Sequence, residues 1–162
     1  MATEAEKRMH RCCFTGHRPE KLQEQEDAVT AALEKEIRQA IADGFNVFIT
    51  GMARGVDIWA AEIVLRFRDA GETVRLICAC PYQGFERGWK QSWQERYQAI
   101  LSAADLVRFI CPGYSRSCFQ RRNEWMVDHA ARVIAVWNGQ PSGTKNTIDY
   151  AQRMGVWVVQ AK

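Results

Sequence analysis

No apolar run in the chain approaches the roughly 20 residues that a membrane-spanning helix needs. The opening stretch, MATEAEKRMHRCC, also lacks the apolar core of a secretory signal. Both absences argue against a membrane protein and set the expected location as cytoplasmic. Charge of one sign is scarce as well: 22 Lys and Arg face 19 Asp and Glu, a formal net charge of +3. So small an excess reads as a solvated, mildly basic surface, and nucleic acid is set aside as a partner on that ground. The six cysteines (Cys12, Cys13, Cys78, Cys80, Cys111, Cys118) form no C-x-x-C pair, and no Cys/His spacing suits zinc. Most of them sit in apolar runs, where a reduced cysteine acts as a small hydrophobe, so no metal and no disulfide are expected. Internal repeats, low-complexity tracts and linkers are missing too.

What remains is an ordinary globular composition, 47% hydrophobic and 25% charged over 162 residues, which suits one domain. Residues 1–9 are polar and are expected to form a loose tail, with a single domain over 10–162. Six short apolar runs read as strands: Cys12–Thr15, Val47–Thr50, Val74–Ala79, Leu106–Cys111, Val133–Trp137 and Val156–Val159. Helical periodicity fills the gaps. Val29, Leu33, Ile37 and Ile41 share one face, as do Ala60, Ile63, Val64 and Phe67, and Gly44 and Gly71 follow as left-handed stops. Trp89, Trp93, Tyr97, Ile100 and Leu101 mark a third helix, Phe119–Ala131 a fourth, and Ile148, Ala151 and Met154 a fifth ending at Gly155. Strict alternation of strand and helix predicts a Rossmann-like three-layer α/β/α sandwich around a mostly parallel sheet of about six strands. In such sheets ligands bind beyond the carboxyl ends of the strands, where the strand order reverses.

The loops after the strands therefore carry the functional information. Strand one runs into Thr15-Gly16-His17-Arg18-Pro19, a glycine turn with a guanidinium suited to phosphate. Strand two runs into Thr50-Gly51-Met52-Ala53-Arg54-Gly55-Val56-Asp57. This strand-to-helix turn can aim backbone N–H groups at an anion, although it is neither G-x-G-x-x-G nor a P-loop. Asp57 equally suits a helix's first turn. After strand three, Pro81, Tyr82 and Phe85 offer ring faces for a base or simply cover the sheet end; Trp89 and Trp93 read as core. Beyond strand four lie Arg116, Arg121, Arg122, Asn123 and Asp128, a phosphate cluster or a solvated face. Strand five leads through Asn138-Gly139-Gln140-Pro141-Ser142 to Gly143 and Thr144 at the next helix start.

Taken together, these segments resemble the YpsA/YoqJ-like branch of the SLOG (DprA/Smf–LOG) superfamily. The resemblance rests on Phe14-Thr15-Gly16-His17-Arg18-Pro19-Glu20-Lys21-Leu22, on Thr50–Asp57 continuing to Trp59-Ala60-Ala61-Glu62, on Arg122-Asn123 with Met126-Val127-Asp128, and on Ala135–Gly139 through Gly143-Thr144 and Tyr150-Ala151. It implies a Rossmann-like fold with a nucleotide pocket at the strand ends. The expected ligand is AMP, ADP-ribose, an NAD-derived compound or another nucleotide, with no further cofactor required. The expected binding residues are Thr15, Gly16, His17, Arg18, Gly51, Ala53, Arg54, Gly55, Asp57, Pro81, Tyr82, Arg122, Asn123, Asp128, Gly143 and Thr144. LOG enzymes carry P-G-G-x-G-T-x-x-E, and here Ser142 replaces a glycine while Thr147 stands in place of the glutamate. A threonine cannot serve as the carboxylate of N-glycoside hydrolysis. A binding or sensor role therefore leads. A nucleoside-phosphate N-glycosidase using His17, Asp57 or Glu62 is the alternative, and DprA-like single-stranded DNA binding ranks third. Aromatic-rich helix faces leave a homo-oligomer open.

Overall fold

The computed structural model describes residues 1–162. Six parallel strands, β1 (Arg11–Gly16), β2 (Val47–Thr50), β3 (Arg75–Cys80), β4 (Leu106–Phe109), β5 (Arg132–Val136) and β6 (Trp157–Gln160), form one sheet in the order β4-β3-β2-β1-β5-β6. Between them run α2 (Glu26–Ala42), α3 (Val56–Asp69), α4 (Gln91–Ala103), α5 (Cys118–Asp128) and α6 (Gly143–Arg153). This is the Rossmann-like α/β/α architecture that the alternating pattern predicts. No helix is long and apolar enough to cross a membrane.

Side-chain alternation along each strand sorts the core into two layers. Cys12, Phe14, Phe48, Leu76, Cys78 and Cys80 face α2, α3 and α4 and join the larger apolar cluster. Their neighbours Cys13, Ile49, Ala79 and Val133 face the other way, toward Met126 and Val127 of α5 and Ala151 of α6. Adjacent Cys12 and Cys13 thus belong to opposite faces of one sheet, and all six cysteines are buried free thiols. Gly44, Gly71 and Gly155 have positive φ, as helix stops do.

The outer strands differ from their sequence reading. The run Leu106–Cys111 looks like a covered strand, yet β4 stops at Phe109 and lies at the sheet edge with Leu106 and Phe109 exposed. Hydropathy reports apolar content but not strand order, so an edge and a centre read alike. The first residues also hold structure. Glu4–Arg8 form a short helix, α1, closed by a Thr3/Glu6 capping box. It is tied down by an Arg8 Nε hydrogen bond to the Ala130 carbonyl and an Arg11–Glu4 ion pair.

The strand order fixes where a ligand could enter. From β1 the chain builds outward through β2, β3 and β4, then crosses to the far side of β1 to lay down β5 and β6. The order reverses between β1 and β5. Loops leaving those two strands must diverge to opposite faces, which opens a crevice beyond their carboxyl ends.

Candidate functional site

A cavity of about 620 Å³ occupies that crevice. One wall comes from β1 and its loop, with Thr15, Gly16, His17, Arg18 and Lys21. Ala53, Arg54 and Asp57 line it around the start of α3, Arg122, Asn123 and Met126 on α5, Asn138 and Gln140 to Ser142 ahead of α6, and Gly143 and Thr144 at its start. Phe85, Trp89 and Phe119 supply an aromatic side. Segments more than a hundred residues apart in sequence therefore share one polar hollow.

The loop after β2 is held in a strained shape. Met52 is buried at φ 64, an uncommon region for a non-glycine residue, and Gly55 follows at φ 91. Thr50 Oγ1 donates to the Asp57 carbonyl at 2.8 Å, and the Met52 N–H donates back to Thr50 Oγ1. These bonds turn the Asp57 carboxylate inward, where Oδ2 accepts the Ala53 N–H at 3.2 Å. Its other oxygen, Oδ1, is buried with no partner in the protein. A carboxylate so placed prefers its proton, and burial pushes the Asp57 pKa up to about 6 against the pull of Arg122.

Arg122 is buried alongside. Its Nη1 donates to the Gly51 carbonyl and its Nε to Asn123 Oδ1 at 2.8 Å, so Nη2 keeps no protein acceptor. A Cβ added at Gly51 would lie 2.9 Å from the Arg122 guanidinium and 2.9 Å from Asp57 Oδ2, which is why this position is glycine. His17 bridges the two halves of the crevice: its Nε2 accepts the Asn138 N–H at 3.0 Å. A backbone N–H can only donate, so the neutral ring carries its proton on Nδ1. Burial, then the Lys21 charge, lowers the His17 pKa and keeps the imidazole uncharged.

Not every expected residue reaches the cavity. Gly51 and Gly55 shape its floor from behind without lining it. The Pro81 carbonyl is taken by the Cys111 N–H and the Cys118 thiol. Tyr82 stands behind the aromatic wall, edge-on to Phe85 and Phe119. Asp128 ends α5 far along the helix and accepts the Tyr150 hydroxyl. Glu62 leaves the site altogether, paired with Arg96 at 2.6 Å. Arg54 lines the hollow but is held by Glu20 at 2.6 Å, so its charge is already matched. Thr147, in place of the LOG glutamate, is fully buried and bonded to the Gly143 carbonyl of its own helix.

Further residues line the cavity that are not among the expected binding residues, including Lys21 and Met126, which belong to the resemblance motifs, and Phe119 and Trp89, which do not. Trp89 has a helix-like spacing that reads as core, and it packs on Tyr97 at 5.4 Å; because α4 begins only at Gln91, the half-buried indole also borders the hollow. No three His, Cys, Asp or Glu side chains come together in a way that would hold a metal ion.

Fold and crevice together define a Rossmann-like protein with a strand-end cavity at its topological switch point. The profile of the YspA SLOG family matches residues 12–155, and the chain belongs to that family. It is 30% identical over 118 residues to the SPβ prophage-derived protein YoqJ of Bacillus subtilis strain 168, covering 65% of this chain and 69% of that protein. A UPF0398 protein of Bacillus thuringiensis strain Al Hakam is 27% identical over 132 residues, covering 80% of this chain and 72% of the relative. Among solved structures, DNA processing protein A (DprA) of Streptococcus pneumoniae superposes with a TM-score of 0.69 at 18% identity, covering 94% of this chain but only 50% of that one. The Helicobacter pylori DprA superposes with a TM-score of 0.64 at 17% identity, covering 97% of this chain and 66% of that protein. The present chain thus spans one half to two thirds of these solved structures. The second of them was described for its single-stranded DNA binding mode. Setting nucleic acid aside is therefore corrected. Net charge was the wrong quantity to judge by, because binding depends on where the positive groups lie and not on their sum.

Proposed function

We propose that the strand-end cavity binds a nucleotide. The observation that carries this reading is Asp57, a lining residue whose Oδ1 is a buried, unpartnered acceptor, in a hollow also lined by Arg122 and Arg18. An unmatched buried carboxylate oxygen costs stability, and a sugar hydroxyl or base amine would supply its missing donor. The phosphate belongs with Arg18, Arg122 and the starts of α3 and α6, whose free N–H groups favour an anion. The base belongs on the opposite side, against Phe85, Trp89 and Phe119. Free nucleotides and a nucleotide within a single strand share this chemistry. The DprA likeness supports the strand as a second source.

Binding is favoured over N-glycoside hydrolysis by the positions of the acids. Glu62 is engaged with Arg96, and Thr147 offers no carboxylate, so Asp57 is the one carboxylate on the cavity lining. Hydrolysis needs a group that gives a proton to the leaving base and another that activates water. The neutral His17 would have to supply the second. Incubation with nucleoside monophosphates and NAD is expected to release no free base.

The test of the binding reading is calorimetry and thermal unfolding with AMP, ADP-ribose, NAD, cyclic nucleotides and inorganic phosphate. A ligand at 100 times its Kd stabilises the fold by about 2.7 kcal/mol, a rise of several degrees. Arg122→Gln is expected to remove most of that rise. If no nucleotide at millimolar concentration shifts the transition, the reading fails.

A further inference from the structure

We propose that the aromatic patch at the cavity mouth, centred on Tyr114, is a stacking platform for a second base. The site then takes linked nucleotides of a single-stranded nucleic acid in preference to a lone mononucleotide. This rests on the reading of the cavity as a nucleotide site.

Tyr114 is 68% exposed, the most exposed aromatic ring of the chain. It is also continuous with the cavity wall. Its ring lies 6.0 Å from Tyr82 and 6.3 Å from Phe119, both edge-on. Phe119 lines the cavity and sits 5.7 Å from Phe85, which in turn meets Trp89 at 5.1 Å. Aromatic surface thus runs unbroken from inside the hollow to solvent. Trp157, also well exposed, differs because the Arg132 guanidinium covers its ring at 4.4 Å. No cation covers Tyr114.

The loop that presents Tyr114 is fixed at both ends on one acceptor. The Pro81 carbonyl takes the Cys111 N–H at 2.9 Å and the Cys118 thiol at 3.2 Å, while the Cys118 N–H donates to the Ser115 carbonyl. A ring held on a short anchored loop loses little freedom when a base stacks on it.

Charge selects the partner. Arg116 stands two residues beyond Tyr114 and Arg121 in the first turn of α5; both are exposed, and neither pairs with a carboxylate within 4.0 Å. Arg18 and Lys21 on the cavity lining are unpaired as well. Of the acids nearby in sequence, Glu20 is paired with Arg54, while Glu124 accepts from the Gln120 amide and keeps its charge, which leaves the cations in excess. Interleaved ring faces and unpaired cations are what a strand of bases and phosphates requires. An acidic peptide would match the cations but leave the rings unstacked.

The experiment compares dAMP with 5′-phosphorylated deoxyadenylate strands of two and six residues, by calorimetry at 50 and 200 mM NaCl. The two-residue strand is expected to bind at least ten-fold more tightly than dAMP, the increment of one stacked base. Tyr114→Ala should bring the two-residue strand down to the affinity of dAMP without changing dAMP itself, and Tyr114→Phe should restore the increment. Arg116→Gln with Arg121→Gln should flatten the salt dependence of the six-residue strand. The proposal is overturned if the strands bind no more tightly than dAMP, if Tyr114→Ala weakens all three equally, or if a polyglutamate peptide displaces them. Should dAMP and both strands fail to bind a protein that unfolds normally, the nucleotide reading beneath it falls as well.

Discussion

Asp57→Asn is expected to raise the protein's stability at pH 7.5 while lowering its affinity for nucleotide about ten-fold or more. The folded pKa of about 6 exceeds the ordinary value of 3.8 because the carboxylate is buried with one oxygen unpartnered. Between those two values the folded protein holds a proton that the unfolded chain has released. Stability from this group is therefore present at low pH and lost as pH rises toward 6. Above that, keeping Asp57 ionised costs up to about 3 kcal/mol. Asparagine still accepts the Ala53 N–H but never ionises. The ionisation cost is already net of the pull of Arg122, and an amide that fits the acid's place imperfectly gives part of the gain back. A net stabilisation of about 1–2 kcal/mol remains, or several degrees in Tm. Other carboxylates titrate too: Glu20, Glu34 and Asp43 are held below their usual range by arginines and give the opposite slope. The quantity to measure is therefore the difference between variant and wild type from pH 4 to 8. It should be near zero at pH 4, grow through 6 and then level off. A variant less stable than wild type at every pH would mean that Asp57 is a structural anion held by Arg122. The ligand side follows from hydrogen bonding: replacing an ionised acceptor removes a charge-assisted bond, and wild-type affinity itself should decline below pH 6 as Asp57 takes up its proton.

The same residue shows how far sequence reaches. Asp57 stood out because it follows a glycine turn at a strand end, and the alternation of apolar runs with helical faces was enough to place that turn beside β1. Arg122 stands apart from the other arginines of its segment only through the Arg122-Asn123 motif of the family resemblance. Composition and spacing alone do not separate it from Arg116 or Arg121, yet it is buried against Gly51 and they are exposed. Burial of a charged side chain is a three-dimensional property, set here by which way α5 rolls on the sheet. Trp89 reads as core and does pack on it, 5.4 Å from Tyr97, but it also borders the hollow. Its spacing to Trp93 and Tyr97 matches a helix face, and only the late start of α4 frees the ring to face the hollow. Motif proximity alone places Asp128 and Glu62 among the candidates. Helical rise carries Asp128 to the far end of α5, and the twist of α3 turns Glu62 toward α4. Arg54 lies in its motif and reaches the cavity, but Glu20 of the motif after β1 pairs with its charge, a contact that neither motif shows by itself.

Gly55→Ala is expected to be the most damaging small substitution in the chain, and glycines around the same crevice show why. Gly55 sits at φ 91 and ψ −124, a conformation that side chains resist. A methyl group there would also lie 2.5 Å from the His17 carbonyl and 2.9 Å from the Pro19 ring. Neither neighbour can yield, because the His17 carbonyl belongs to the backbone that leaves β1 and accepts the Val56 N–H at the start of α3. Strain and overpacking each cost about 1–3 kcal/mol, so a loss of roughly 3–5 kcal/mol follows, near 10 °C in Tm for a domain of this size. Gly139 also has a positive φ, 87, but nothing lies within 4 Å of its added Cβ. Gly139→Ala therefore bears the backbone cost alone, about 1–2 kcal/mol. Gly143 has neither constraint, and Gly143→Ala should leave stability unchanged to within about 0.5 kcal/mol. Urea denaturation of the three variants separates the terms. The ranking of Gly55 over Gly139 over Gly143 isolates the close approach of β1 to α3, the contact that seats Asp57 at the floor of the cavity. Equal losses at Gly55 and Gly139 would show that the two segments are not in contact, and the geometry assigned to Asp57 would go with them.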